Sequence, residues 1–330
     1  MISWEGRQTL VTGGGGFIGG HLAVALVRAG ARVRAMCRYN SRGDRGALDW
    51  FPPPDTDGIE VVSGDLRDLE SAQRAMVGVE IAFHLGAQIA IPYSFVNPRD
   101  FFATNVGGTL NVAQAALAAG VERVVHVSSS EVYGEPRTWP IPADHLLAPR
   151  SPYAASKAGA DLLMASFHAT FGLPVVTARP FNTYGPHQSA RAIVPTIVTQ
   201  ALNGPEVKLG SLHPRRDLTF VADTVAGLIA IATADGGVGN LLQLGSGTDV
   251  SIGELVDLIG ELLGCALEPK LDPERVRLGE SEVSRLLCDP APTSVLTGWR
   301  PSVDLRTGLS RTIEWIRSHP ERYRAREYTT

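Results

Sequence analysis

Short apolar runs alternate with helix-length segments through the first half of the chain, and that rhythm leaves few folds open. The runs "RQTLVTG", "ARVRAMCR", "IEVVSGD", "VEIAFHLGA", "VERVVHVSSS" and "LPVVTARP" read as strands. Between them "HLAVALVRAG", "LESAQRAMVG", "NVGGTLNVAQAALAAG" and "PYAASKAGADLLMASFHATFG" read as helices. A helix-length crossover returns the chain to the sheet in the same direction, so the strands pair in parallel. The predicted class is α/β, a Rossmann-type doubly wound parallel sheet with a smaller mixed α/β domain. After Pro180, Gly and Pro recur more often, "PRRDLTFVADTVAGLIAIATAD" returns to the sheet layer, and "SIGELVDLIGELLG" and "LRTGLSRTIEWIRSHP" follow as helices. The expected division is 1–180 plus about 218–247 for the sheet domain, and about 181–217 plus 248–330 for the smaller one. "FPPPDTDG", residues 51–58, is expected to be a surface loop.

Bulk properties narrow the function. At 330 residues the chain can bury a sizeable core, and 44% hydrophobic with 19% charged residues is ordinary for a globular protein. No window approaches an uncharged membrane span. The start, "MISWEGR", lacks a basic and apolar leader, so a reducing cytoplasm is expected. Cys37, Cys265 and Cys288 are odd in number and far apart, which supports neither disulfides nor a metal site. A net charge of -4 without a basic tract argues against nucleic acid and for a small ligand.

"TLVTGGGGFIGGHL" sets Gly13, Gly16 and Gly19 at the turn from the first strand into the first helix. Gly13 permits a tight turn, Gly16 lets backbone N–H groups approach a pyrophosphate, and Gly19 lets helix and strand pack closely. The motif therefore predicts a bound dinucleotide. A carboxylate at the end of the second strand would hold ribose hydroxyls and select NAD. This chain instead has Cys37 and Arg38, with Asn40, Ser41 and Arg42 behind. Arginine and hydroxyls suit a 2′-phosphate and lean to NADP, or Arg38 is an ordinary surface arginine, so the expectation stays NAD(P). Asp65 in "SGDLRD" either meets the adenine amino group or caps a helix, a job Asp68 can also do.

The fifth strand runs straight into "SSSEVYG", three hydroxyls and a carboxylate at the mouth of a core. Such groups are costly there unless paired, solvated or used. Downstream, Tyr153 and Lys157 in "SPYAASK" lie four apart on one helix face. An ammonium near a phenol lowers its pKa, which makes Tyr153 an acid or base for an alcohol, and Ser129 can bond the same oxygen. His84, His126 and His168 sit in apolar patterns and are expected to be core or near-surface residues rather than metal ligands.

Taken together, "VTGGGGFIGGHL", "GDLRD", "HLGAQ", "SSSEVYG", "SPYAASK" and "ARPFNTYGP" resemble the extended short-chain dehydrogenase/reductases, specifically their nucleotide-sugar epimerases, decarboxylases and dehydratases. "RPFNTYGPHQSARAIVPTIVTQ", "KLGSLHPRRDLTFVADT" and "SEVSRLLCD" are similar to UDP-N-acetylglucosamine and GDP-mannose 4,6-dehydratases. The resemblance implies a tightly bound, recycled NAD(P), with Phe17, Ile18, Leu66, Leu85 and Ala87 joining the glycines as contacts. It implies a nucleotide-diphosphate sugar substrate, met by Asn182, Arg191, Arg216 and Arg277. In such a 4,6-dehydratase Tyr153 takes the C4 hydroxyl proton as hydride leaves C4. Glu131 then takes the C5 proton, water leaves C6 and hydride returns to C6 with reprotonation at C5, giving a 4-keto-6-deoxy sugar. Related enzymes carry aspartate at the position of Ser130, so Glu131 serves both steps or Ser130 relays a proton.

Alternatives stand beside this. Glu131 can be a strand-end carboxylate bonding turn amides, and Arg216 and Arg277 can pair with neighbours such as Asp217 or Glu280. A 4-epimerase or a UDP-glucuronate decarboxylase shares the scaffold. His187 after "YGP" stands where the latter usually shows arginine, though Arg191 is near. The alanine-rich helices "GTLNVAQAALAAG" and "AASKAGADLLMASF" suit a homodimer through a four-helix bundle.

Overall fold

The structure, a computed structural model, describes residues 3–323. Six strands follow the expected rhythm: β1 (Gln8–Thr12), β2 (Arg32–Cys37), β3 (Ile59–Ser63), β4 (Ile81–His84), β5 (Arg123–Val127) and β6 (Val175–Pro180). The chain then leaves the sheet for β7 (Asn182–Tyr184), β8 (Glu206–Leu209), β9 (Arg215–Arg216) and β10 (Leu218–Phe220). It returns as β11 (Leu241–Leu244) and ends with β12 (Val250–Ser251), β13 (Glu268–Leu271) and β14 (Arg285–Leu286). One seven-stranded sheet results, in the order β3-β2-β1-β4-β5-β6-β11. Every pair in it is parallel. The order reverses between β1 and β4, and sheets of this kind bind ligands beyond the carboxyl ends of strands at such a reversal.

Helices cover both faces, and for that reason the strands read as continuous apolar runs. Alternate residues serve the two layers: Val11, Phe83 and Val125 meet helices Phe17–Arg28 and Val221–Thr233. Leu10, Ala82 and Val124 meet helices Leu69–Met76, Gly108–Ala119 and Pro152–Phe171. The short strands build three small sheets: β7 with β10, β8 with β13, and β9 between β12 and β14. A separate cluster of Val132, Tyr133, Ile141, Phe181, Val283 and Leu286 ties the turn after β5 to β14. Among the described residues no helix is long and apolar enough to cross a membrane.

One local expectation is corrected. Residues 51–58 are not all loop, because Pro53–Thr56 forms one helical turn with Thr56 buried. Proline at the first positions presets the helical φ, which composition alone reads as a breaker.

Candidate functional site

From β1 the chain turns through Gly13 into helix Phe17–Arg28. Gly13 has φ +71°, and a Cβ there would lie 2.8 Å from Gly86 Cα; one at Gly19 would collide with the Gly13 carbonyl. Gly16 caps the helix with no side-chain bond, so first-turn N–H groups stay open toward the carboxyl edge. Phe17 and Ile18 are half-buried there, as are Leu85 and Ala87 just past β4. Leu66 packs between β4 and the helix at Gly108: added Cβ atoms at Gly86 and Gly108 would come within 2.6 and 2.8 Å of its side chain.

At the end of β2, Cys37 is buried and burial pushes its thiol up to about 11. Arg38 and Ser41 are exposed. Asn40 is committed to its own loop, accepting from the backbone of Arg42 and Asp44 at 3.1 Å and donating to Asp44 O at 2.8 Å. Asp68 takes the capping job, accepting from the N–H groups of Glu70 and Ser71. Asp65 is left at the strand end, where Arg67, bonded to it at 2.6 Å, holds it below the usual carboxylate range.

At β5 the strand ends and a single 3-10 turn, Ser130–Tyr133, begins at once. Ser129 caps that turn, accepting from Glu131 N at 3.3 Å. The carboxylate of Glu131 accepts no turn amide; its Oε2 lies 3.5 Å from Arg277 Nη1. Ser130 is buried. Helix Pro152–Phe171 starts at the Ser151 cap and brings Tyr153, 9% exposed, beside Ser129 and Glu131. Burial raises the phenol to about 12, with Ser129 opposing the rise and the charges of Glu131 and Asp161 adding to it. The expected lowering by Lys157 is absent. Lys157 lies one turn deeper, donating to Val127 O at 2.7 Å, and burial lowers its ammonium to about 8. Desolvation is the largest influence on both groups.

Arg216 on β9 and Arg277 in the segment between β13 and β14 stand near Glu131. Arg216 on β9, 5% exposed, donates to Val283 O at 2.8 Å and reaches Glu282 at 3.3 Å. Arg277 reaches the same Glu282 at 3.6 Å. Glu282 therefore replaces the expected partners Asp217 and Glu280, since Asp217 is buried and bonded to Ser246, Gly247 and Cys288. Asn182 opens β7 with a buried Oδ1 that has no hydrogen-bond partner. Arg191 is exposed ahead of helix Ile193–Ala201.

His187 is buried at φ +69°, packed on Phe51 and Trp315 with both ring centroids at 4.2 Å. His84 bonds Thr12 and Thr109, and His168 bonds Leu173 O. Among the described residues no group of three His, Cys, Asp or Glu side chains is placed to hold a metal ion. Sequence reasoning missed Glu282, and missed Asp161 and Arg179 beneath the site. Asp161 had a signal: it continues the spacing of four from Tyr153 and Lys157.

With this geometry in place, comparisons with known proteins agree on one family. The model for GDP-mannose 4,6 dehydratase matches residues 10–312. The chain is 35% identical to the dTDP-glucose 4,6-dehydratase of Streptomyces antibioticus, over 94% of this chain and 92% of that one. It is 34% identical to the UDP-glucose 4-epimerase of Mycolicibacterium smegmatis, over 94% and 99%. The crystal structure of a dTDP-glucose 4,6-dehydratase from Streptomyces venezuelae, with NAD bound, superposes with a TM-score of 0.84 at 33% identity, covering 96% of this chain and 99% of that one.

Proposed function

We propose that this chain, which belongs to the GDP-mannose 4,6-dehydratase family, is an NAD(P)-dependent nucleotide-sugar 4,6-dehydratase forming a 4-keto-6-deoxy sugar. One observation carries the choice: Glu131 stands at the strand end beside Tyr153, unbonded to any turn amide, with its carboxylate facing Arg277. A carboxylate so placed is available to take a carbon-bound proton.

The open N-terminus of helix Phe17–Arg28, the glycine approach and Asp65 fit a dinucleotide. When bound, its oxidised nicotinamide supplies a hydride acceptor and a positive charge that lowers a nearby phenol. The Streptomyces venezuelae relative holds NAD, while the exposed Arg38 here suits a 2′-phosphate. Tyr153 moves the C4 hydroxyl proton and Ser129 bonds the same oxygen. Glu131 takes the C5 proton and, with Ser130 beside it, gives one to the departing C6 hydroxyl as water leaves; the hydride removed from C4 would then return to C6 while C5 regains a proton. Arg216, Arg277 and Asn182 hold the nucleotide diphosphate, with Arg191 at the rim. The seven-stranded half holds the cofactor; the segments after β6 and after β11 hold the nucleotide sugar.

Incubation of the purified protein with dTDP-glucose, UDP-N-acetylglucosamine, GDP-mannose and UDP-glucuronate tests the reading, with mass spectrometry of each product. Loss of one water in the wild type, abolished in Glu131→Gln with the fold intact, is the expected result. A 4-epimer would instead support the second reading, favoured by the identity to a 4-epimerase. Released carbon dioxide, or undiminished dehydration in the variant, would overturn the assignment. Outward Leu110 and Leu117 on helix Gly108–Ala119, with Leu162 and Phe171 on helix Pro152–Phe171, support a homodimer, which a solution mass of two chains checks.

A further inference from the structure

Asp161 lies two turns beyond Tyr153 on the same helix face, 7% exposed, and its carboxylate is fully engaged. Oδ2 accepts from Ser128 Oγ at 2.6 Å and from Arg179 Nη2 at 2.7 Å, and Oδ1 faces His126 Nε2 at 2.9 Å. These partners come from β5, the residue after β5, and β6. One turn back toward Tyr153, Lys157 grips Val127 O, the residue between His126 and Ser128. The helix is thus clamped twice to the three residues that precede Ser129. Arg179 extends the clamp: its guanidinium lies 4.6 Å over the Tyr133 ring, and Tyr133 ends the turn that carries Glu131.

We propose that Asp161 is a positioning residue of this site, locking the helix face of Tyr153 and Lys157 to the strand end of Ser129 and Glu131, and supplying the buried negative charge that keeps Lys157 an ammonium. The inference rests on reading Tyr153 and Lys157 as the acid–base pair. Charge balance supports it. Lys157 is faced by His84 from β4, His126 from β5, Arg179 from β6, and Asp161 from its own helix. Burial keeps both histidines neutral, so two cations share the site with the Asp161 anion. Asp161 holds the Lys157 proton on, and Arg179 drives it off. Without Asp161, two like charges would face each other in a poorly solvated interior, and Lys157 is the one able to discharge.

The chain contains three lysines, Lys157, Lys208 and Lys270, and the last two are exposed, so a lysine carrying carbon-13 at Cε gives a resolved titration for Lys157. In the whole protein, Asp161→Asn is expected to move that titration down by about one pH unit, and Arg179→Gln to move it up. The alkaline limb of the turnover profile follows in each case, while Asp161→Glu returns both readouts toward the wild type. Structural damage cannot shift one titration in two opposite directions. If Asp161→Asn does not fold, Arg179→Gln and Asp161→Glu carry the test. A Lys157 titration unmoved in folded Asp161→Asn, or not raised in Arg179→Gln, overturns the proposal. The titration needs no substrate. If it shifts as expected while turnover ignores the state of Lys157, the electrostatic role of Asp161 stands and the acid–base reading of the pair falls.

Discussion

Two charged clusters flank Glu131, and they are built differently. On the helix side, Asp161, Arg179, Lys157 and His126 are all under 10% exposed, and the contacts of Asp161 with His126 and Arg179 span 2.7 to 2.9 Å. On the substrate side, Glu131, Glu282, Arg216 and Arg277 meet at 3.3 to 3.6 Å, and the side chains of Arg277 and Glu282 are 24% and 29% exposed. In the first cluster the Asp161 carboxylate is held at short distances by Ser128, His126 and Arg179, all from the sheet side of the fold, although His126 Nδ1 and Arg179 Nη1 are buried without partners. The second holds arginines in long ion pairs that an anionic group can replace. On the proposed function, chemistry would sit against the short-bonded cluster, and recognition against the adjustable one.

The largest expected effect tests the helix side. Tyr153→Phe removes the phenol and keeps the ring that packs edge-on against Phe101. Turnover should fall about 10³-fold with a near-native Tm. A loss under tenfold would place the acid–base step elsewhere and erase the contrast between the clusters. Next, Arg277→Ala on the adjustable side should raise KM for the nucleotide sugar roughly 10- to 100-fold and leave kcat little changed. A matching fall in kcat would mean that Arg277 acts on the reacting carbons through Glu131, and the division into chemistry and recognition would fail.

The sheet was legible because its strands are buried on both faces, so each is a local apolar run, and because the glycine turn needs Gly13 and Gly19 where backbones touch. Tyr153 and Lys157 were legible as a helical pair. Their partners were not. Arg179 and His126 meet Asp161 across separations of 18 and 35 residues, set by the register of β5 and β6. Glu282 meets Arg216 across 66 residues, through the pairing of β9 with β14. The sign at Tyr153 was misjudged for a related reason: spacing shows who stands near whom, and desolvation depends on everything else packed around the pair. The burial of His187 at a positive φ in an aromatic cluster left no local signature in the sequence.

The smallest effect concerns stability and sharpens the contrast from the helix side. Burial pushes the Lys157 ammonium down to about 8 from its ordinary 10.5, so below 8 the folded state carries a proton that burial penalises. Between those values the unfolded chain binds more protons, and stability contributed by this group rises with pH. Other groups titrate in the same window, among them Cys37, whose raised pKa works in the opposite direction. The difference between wild type and Lys157→Met isolates the lysine. From about pH 7 to about pH 9.5 the variant's advantage in stability should shrink by about 2 kcal/mol, read as a convergence of a few °C between the two Tm curves. Turnover of the wild type should decline over the same window as Lys157 loses its proton. Opposite trends in stability and activity are expected where a buried charge is kept for function. Parallel trends, or Tm curves that never converge, would mean that Lys157 is comfortable where it is and that the helix side is no more strained than the arginine side.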